Sequence, residues 1–328
     1  MNISILGAGT WGTALALSLA GRHQVMLWGR NAQVMGDAAL SRRHQGFDLP
    51  PQLTVSSDLE AAVAHVRPSD SLLIVATSVA GLRPLAQQLR ILSIPNLIWL
   101  CKGLEQETRY LPHQIVEQEL GVTLPCGALS GPSFAQEVAF GLPCALTVAT
   151  QFPTLSELVV SAVHSPSIRV YSSDDLVGVE LGGAVKNILA IATGIADGMG
   201  LGLNARAALI TRGLAEMSRL GQAMGGRLET FMGLTGMGDL ILTCTGDLSR
   251  NRRVGLSLAQ GKQLAEIITE LGHVAEGVRC AQAVQILSQE LQVDMPISNA
   301  VADVLFKGVS PAQMVRNLLA RDAKVETQ

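Results

Sequence analysis

Ile3-Ser4-Ile5-Leu6-Gly7-Ala8-Gly9-Thr10-Trp11-Gly12-Thr13-Ala14-Leu15-Ala16 sets a Gly-x-Gly-x-x-Gly turn between an apolar β-prone run and a small-residue run that reads as a helix. Gly7 serves the tight turn, Gly9 lets backbone N–H groups approach a pyrophosphate with no Cβ in the way, and Gly12 lets the helix sit close to the sheet. The N-terminus of that helix faces the phosphates. The strand before and the helix after, more than the glycines themselves, point to a bound dinucleotide.

Outward from this turn, β-rich runs recur at Val25 to Trp28, Leu72 to Ala76, Leu97 to Leu100, Ala145 to Ala149 and Ile168 to Tyr171, with helical stretches between them at Leu59 to His65, Ala80 to Leu89 and Leu111 to Leu120. Such alternation predicts an α/β fold, a doubly wound parallel sheet covered by helices. Pro68, Pro84, Pro95 and Pro125 punctuate the helix ends. From about Val179 the β-rich runs stop. Apolar residues then recur at helical spacing in Val185 to Ala196, Arg206 to Met224, Val254 to Ala259, Ala281 to Leu291 and Ile297 to Leu305. Two domains are expected, 1–178 for the dinucleotide and 179–328, all-helical, for the substrate and the catalytic groups.

Composition narrows the class. A chain of 328 residues, 48% hydrophobic, can bury two cores. A net charge of −3 without a basic block recommends neither nucleic acid nor an anionic membrane. Five widely spaced cysteines without C-x-x-C argue against a disulfide framework and against a zinc or other metal site, and fit a reducing cytoplasm. The first residues enter a strand with no basic n-region, against a signal peptide. The most apolar later stretch, Leu181 to Leu203, carries Lys186, Asn187 and Asp197 and reads as a buried helix rather than a membrane span.

An NAD-selective site carries an acid at the end of its second strand, about 20 residues past the glycines. Here that strand ends Leu27-Trp28-Gly29-Arg30-Asn31, and Arg30 would attract the 2′-phosphate of NADP(H) where a carboxylate would repel it. NADPH is expected to bind at least as well as NADH. Delivery of a hydride to a carbonyl leaves an alkoxide that needs a proton donor. The two tyrosines are not in a Y-x-x-x-K arrangement, and the histidines are scattered. Lys186, in Glu180-Leu181-Gly182-Gly183-Ala184-Val185-Lys186-Asn187, is a cation in an apolar helix, where burial lowers its pKa toward a useful range. A lysine reaching solvent from the helix edge is the competing reading. Asp239, in Gly236-Met237-Gly238-Asp239-Leu240, can position Lys186 or bind a substrate hydroxyl. In Ser249-Arg250-Asn251-Arg252, Ser249 can cap a helix whose N–H groups, with Arg250 and Asn251, grip a phosphate. Two turns at strand ends add Lys102, able to bridge cofactor and substrate, and Gly131 with Ser133, able to offer donors to a polar ligand.

These segments, together with Lys102-Gly103-Leu104-Glu105, Gly131-Pro132-Ser133-Phe134-Ala135 and Val274-Ala275-Glu276-Gly277, occur in the order found in the bacterial NAD(P)-dependent glycerol-3-phosphate dehydrogenases, which the chain resembles over nearly its whole length. The resemblance implies a Rossmann-type sheet followed by an all-helical domain, as in 6-phosphogluconate-dehydrogenase-like enzymes. It also implies reversible reduction of dihydroxyacetone phosphate to sn-glycerol 3-phosphate, the glycerophospholipid backbone, by a cytoplasmic homodimer using NADP(H) or NAD(H). By match, Thr10, Trp11, Arg30 and Ala135 would contact the cofactor beside the glycines, with Val274 and Glu276 reaching it from the second domain. Lys186 would pass the proton. Lys102, Gly131, Ser133, Asp239, Ser249, Arg250 and Asn251 would surround the substrate, Lys102 and Arg250 also touching the cofactor. Two departures stand out: Phe47 where many relatives carry tyrosine, which removes a phenolic contact to the cofactor, and Gly246 in place of a serine, expected to loosen its turn.

Overall fold

The computed structural model describes residues 1–66, 70–272 and 275–322. Ten strands are present among them: β1 (Asn2–Leu6), β2 (Gln24–Trp28), β3 (Arg43–His44), β4 (Phe47–Asp48), β5 (Thr54–Ser56), β6 (Leu72–Val75), β7 (Leu97–Trp99), β8 (Cys126–Ser130), β9 (Cys144–Ala149) and β10 (Ile168–Ser173). The helices that alternate with them are α1 (Thr10–Ala20), α2 (Ala32–Ser41), α3 (Leu59–Ala64), α4 (Val79–Leu89), α5 (Pro112–Leu120), α6 (Ala135–Ala139) and α7 (Pro153–Val163). Beyond β10 the described chain is helical: α8 (Leu176–Gly198), α9 (Gly202–Ala223), α10 (Leu228–Phe231), α11 (Asp239–Thr245), α12 (Arg250–Ala259), α13 (Leu264–Leu271), α14 (Glu276–Glu290), α15 (Pro296–Phe306) and α16 (Pro311–Leu319), with a π-helical turn at Leu234–Gly238.

Eight strands form one sheet in the order β10-β9-β8-β7-β6-β1-β2-β5. The order reverses between β1 and β6, so a crevice opens there at the carboxyl ends of the strands, the place where doubly wound sheets bind ligands. The central strands read as continuous apolar runs because helices cover both faces; every residue of β6 is buried. The expected doubly wound parallel sheet carries one antiparallel pair. β8 and β9 are antiparallel, with Ala128, Leu129 and Ser130 opposite Ala149, Val148 and Thr147. Their connection holds only the five-residue α6, which packs against α1, so the chain turns back at the same edge instead of crossing the sheet. This N-terminal Rossmann-like sheet region is followed by a helical C-terminal region.

In that second region α8 is the axis. Its long run of small and branched apolar residues is buried from Gly178 to Ala196, and α9, α11, α12, α14 and α15 pack around it. It is long and apolar enough to cross a membrane by length and composition, yet 89% of its most apolar window is buried inside the protein. The helix starts nine residues earlier than its periodic core, Val185 to Ala196, suggested, and the domain division drawn at 178/179 falls in its first turn. Gly194 and Gly255 bring α8 and α12 into backbone contact: a Cβ at Gly255 would lie 2.1 Å from the Ile191 carbonyl oxygen, and one at Gly194 2.1 Å from that of Arg252.

Pro84 does not end a helix but stands inside α4. Pro68 lies outside the described residues. All five cysteines are free thiols, four of them buried.

Candidate active site

At the carboxyl end of β1, Gly7 adopts φ +131°, and a Cβ there would lie 2.6 Å from the carbonyl of Ala76 at the end of β6. Gly12 is closed in just as tightly, 2.0 Å from the Gly7 oxygen. Gly9 is the opposite case: nothing lies within 4 Å of the position its Cβ would take, and α1 begins beside it with no side-chain cap. The turn therefore presents bare N–H groups and open space, the donor set a pyrophosphate requires, and the residues present fit a dinucleotide. Thr10 and Trp11 open α1, and Ala135 opens α6 against it. Thr10 Oγ1 donates to Gln45 Oε1 (3.2 Å), while His44 Nε2 (2.7 Å) and Gln45 Nε2 (3.3 Å) reach the Ala8 carbonyl, so the β3–β4 hairpin is laid against the turn. Arg30 is exposed at the end of β2, immediately before Asn31, which caps α2.

Two strands along the same edge, a second constellation begins. Lys102 follows β7, and its Nζ donates to Asp239 Oδ2 (2.7 Å) and to the Gly131 carbonyl at the end of β8 (3.0 Å). Lys186 Nζ pairs with the other carboxylate oxygen, Oδ1, and donates to Thr243 Oγ1 (3.0 Å). Thr243 in turn donates to the Asp239 carbonyl (2.6 Å). One carboxylate, 1% exposed, thus holds two ammonium groups from opposite regions of the molecule. Lys186 is 6% exposed, which settles its alternative reading: it does not reach solvent from a helix edge. Burial pushes its pKa down to about 8, the Asp239 charge opposing and the Lys102 charge adding to the fall. Burial alone would raise the Asp239 carboxyl, but Lys102 and Lys186 outweigh it and hold it below its ordinary value. Asp239 owes its position to the π-helical turn before α11, a local widening that places a side chain where a regular turn would not. Ser133 Oγ donates to the Gly131 carbonyl (3.2 Å) beside Lys102.

Behind Lys186, Asn187 Oδ1 accepts from Asn251 Nδ2 (2.8 Å), and Asn251 Oδ1 accepts from the Gly277 N–H (3.0 Å). Ser249 caps α12 as expected, accepting from Arg252 N (3.2 Å), and Arg250 is the first residue of that helix. Arg252 pairs with the Asp197 carboxylate of α8 and with Asp247, which fixes the direction of α12. Part-buried Glu276, at the start of α14, has its pKa raised by burial, with Arg279 and Arg250 pulling it back. Val274 lies outside the described residues. The fold thus brings Lys102, Gly131, Ser133, Lys186 and Asp239 into one cluster, with Ser249 to Asn251 and Glu276 adjoining; the glycine turn and Arg30 stand apart along the sheet edge.

The profile of the NAD-dependent glycerol-3-phosphate dehydrogenase N-terminus matches residues 2–155, and that of the NAD-dependent glycerol-3-phosphate dehydrogenase C-terminus matches residues 175–316. The chain belongs to this family. The glycerol-3-phosphate dehydrogenase (NAD(P)+) of Herminiimonas arsenicoxydans is 68% identical over 330 residues, 99% of each chain. Among solved structures, the glycerol-3-phosphate dehydrogenase of Coxiella burnetii superimposes with a TM-score of 0.91 at 40% identity, covering 97% of this chain and 98% of that one. The yeast glycerol-3-phosphate dehydrogenase gives 0.82 at 26% identity, covering 98% and 99%.

Both departures from the family pattern have a structural setting. Phe47 is buried and meets Phe140 edge to face at 6.4 Å, so its ring anchors the hairpin. At Gly246 a Cβ would sit 2.6 Å from the Phe134 ring, which occupies the space a side chain would need. Thr243 was not anticipated, although four residues beyond Asp239 on one helix it shares that residue's face. Nor was the contact of Lys102 with Asp239, for which no local pattern exists.

Proposed function

We propose that this family member catalyses the reversible NAD(P)H-dependent reduction of dihydroxyacetone phosphate to sn-glycerol 3-phosphate, with 1–178 as the dinucleotide-binding domain and 179–328 as the substrate domain. The observation that carries the chemistry is the single buried carboxylate of Asp239 shared between Lys102 and Lys186 at the sheet's carboxyl edge. When bound, the reduced nicotinamide supplies a hydride. The oxygen that becomes an alkoxide takes its proton from the Lys186 ammonium, and in oxidation the neutral amine takes it back. Asp239 keeps that nitrogen in place. Lys102, Gly131 and Ser133 orient the carbonyl and hydroxyl end of the substrate. Ser249, Arg250, Asn251 and the first N–H groups of α12 take its phosphate, a dianion suited to a guanidinium and a helix N-terminus.

The cofactor is held by Gly7, Gly9, Thr10, Trp11 and Gly12 at the pyrophosphate, by Arg30 at the adenosine end, and by Ala135, Lys102, Arg250, Val274 and Glu276 along the remainder. We assign the product to glycerophospholipid synthesis, the protein to the cytoplasm, and its assembly to a homodimer, which light scattering on the purified protein tests. The reaction itself is tested by following absorbance of the reduced nicotinamide. Wild-type protein should oxidise NADPH and NADH only when dihydroxyacetone phosphate is added. Lys186→Ala should lose about 10²–10⁴-fold in turnover while still binding NADPH; undiminished turnover would remove Lys186 from its role.

A further inference from the structure

Glu180 is a buried carboxylate for which the chemistry above has no use. It lies on α8, 4% exposed. Its partners all come from the sheet region: Trp99 Nε1 of β7 donates to Oε1 (2.8 Å), the His113 backbone N–H in the first turn of α5 donates to the same oxygen (2.9 Å), and the His113 ring meets Oε2. Burial pushes this carboxyl up, the His113 and Trp99 contacts pulling it back only in part. Helix capping does not explain the arrangement, because α8 already has its cap in Asp175, which accepts from Gly178 N at 2.9 Å. An apolar side chain at this depth would cost less, since a buried carboxylate must recover its lost hydration through fixed partners.

Fixed partners supply direction. Gly183 and Asn187, three and seven residues on, share the face of Glu180, and Lys186 flanks it. On that side α8 offers little to set its own rotation. Gly182 lies against the Thr235 carbonyl, and Gly183 against the aliphatic stem of Lys102. Asn187 ties α8 to α12 rather than to the sheet. Backbone contact at Gly194 and Gly255 locks α8 to α12 within the helical region, so what remains to be set is its rotation relative to the sheet, and donors converging from a strand and a helix on one carboxylate set it. Trp99 is the last residue of β7, and Lys102 follows three residues later. The same joint therefore references both ammonium groups to one strand end.

We propose that Glu180 is a positioning residue, keyed to Trp99 and His113, that fixes the rotation of α8 and with it the place of Lys186 relative to Lys102 and Asp239. This rests on the reading of Lys186 as proton donor. A rotation of roughly 10° carries a side-chain tip about 6 Å from the helix axis through about 1 Å. Misplacement by about 1 Å at a reacting centre costs on the order of 10²-fold in rate.

Full-length Glu180→Ala, Glu180→Gln and Trp99→Phe proteins test this, with NADPH affinity read from nicotinamide fluorescence and turnover expressed per NADPH-binding site. Glu180→Ala should lose about 10–100-fold in kcat with NADPH Kd within about threefold. The kinetic isotope effect with NADPH deuterated at the transferred position should rise as hydride transfer comes to limit turnover. Glu180→Gln, which still accepts from Trp99, should recover most of the loss. Trp99→Phe, which removes one donor and keeps a ring in the core, should show a several-fold loss of the same kind, and it carries the test if Glu180→Ala does not fold. Unchanged kcat per site and unchanged isotope effect, with only a lower Tm, would overturn the proposal and leave Glu180 a structural group. Failure of the wild-type protein to oxidise NADPH with dihydroxyacetone phosphate would instead strike the reading of the reaction.

Discussion

Lys186 combines a charge with a depth at which charge is expensive, and its pKa near 8 is the measurable trace of that conflict. On the proposed reading, below that value the group carries the proton that ketone reduction consumes, and above it the neutral amine is the form that alcohol oxidation needs. kcat for reduction should therefore be level below about pH 8 and fall as pH rises through it, while kcat for oxidation rises over the same interval. Stopped assays in both directions across this range check the crossing, and profiles that run parallel would contradict it. At the other end of the crevice Arg30 stands exposed where an acid would select NAD. Arg30→Asp should weaken NADPH by about 1.5–3 kcal/mol relative to NADH, read as a shift in the ratio of the two Kd values; an unchanged ratio would exclude this side chain from the choice. Both residues are visible in the sequence because each breaks a local rule, a lysine in an apolar run and a missing acid after a strand. The salt bridge from Lys102 to Asp239 breaks no such rule, since it joins a loop of the sheet region to a π-helical turn that only the folded chain brings alongside.

At the scale of elements, close approach decides most of the geometry. α12 presents Ser249 and Arg250 because its backbone touches that of α8 at Gly194 and Gly255. Gly255→Ala would place a methyl group 2.1 Å from the Ile191 carbonyl oxygen, and overpacking of this kind costs about 1–3 kcal/mol. Denaturant unfolding should show that loss, and KM for dihydroxyacetone phosphate should rise as the N-terminus of α12 is pushed from α8. The same packing logic explains which elements sequence pattern could reach. Long apolar runs such as β6 are unmistakable, but β8, Cys-Gly-Ala-Leu-Ser, has no β-branched residue, and β5 spans three residues. The glycines at the start of α8 serve close approach: Gly182 lies against the Thr235 carbonyl and Gly183 against the Lys102 stem. The reversal of β8 against β9 follows from a connection that stays at one edge, a tertiary fact with no local signature.

Over the whole molecule the two regions meet through apolar packing, with Leu104 and Leu111 in the helical core and Val179 in the core beside β7, and through polar joints, Lys102 with Asp239 and Glu180 with Trp99 and His113. A ligand that touches both regions should stabilise the assembly more than either region's own packing suggests. NADPH at about a hundred times its Kd adds about 2.7 kcal/mol, which for a chain of this size raises Tm by about 4 °C. Thermal unfolding with and without NADPH measures this, and no shift at saturation would deny cofactor binding to the native state. The burial of α8 also has a consequence for synthesis. Its apolar residues leave the ribosome well before α11, α12, α14 and α15, which cover it, and about 100 further residues must be translated before α15 is complete, roughly 5–20 s at ordinary elongation rates. For that interval the nascent chain displays a helix that resembles a membrane anchor, and the sheet region, already made, cannot hide it. The step that most needs a chaperone is therefore the wait for the last helices, so chains cut short just after α9 should aggregate.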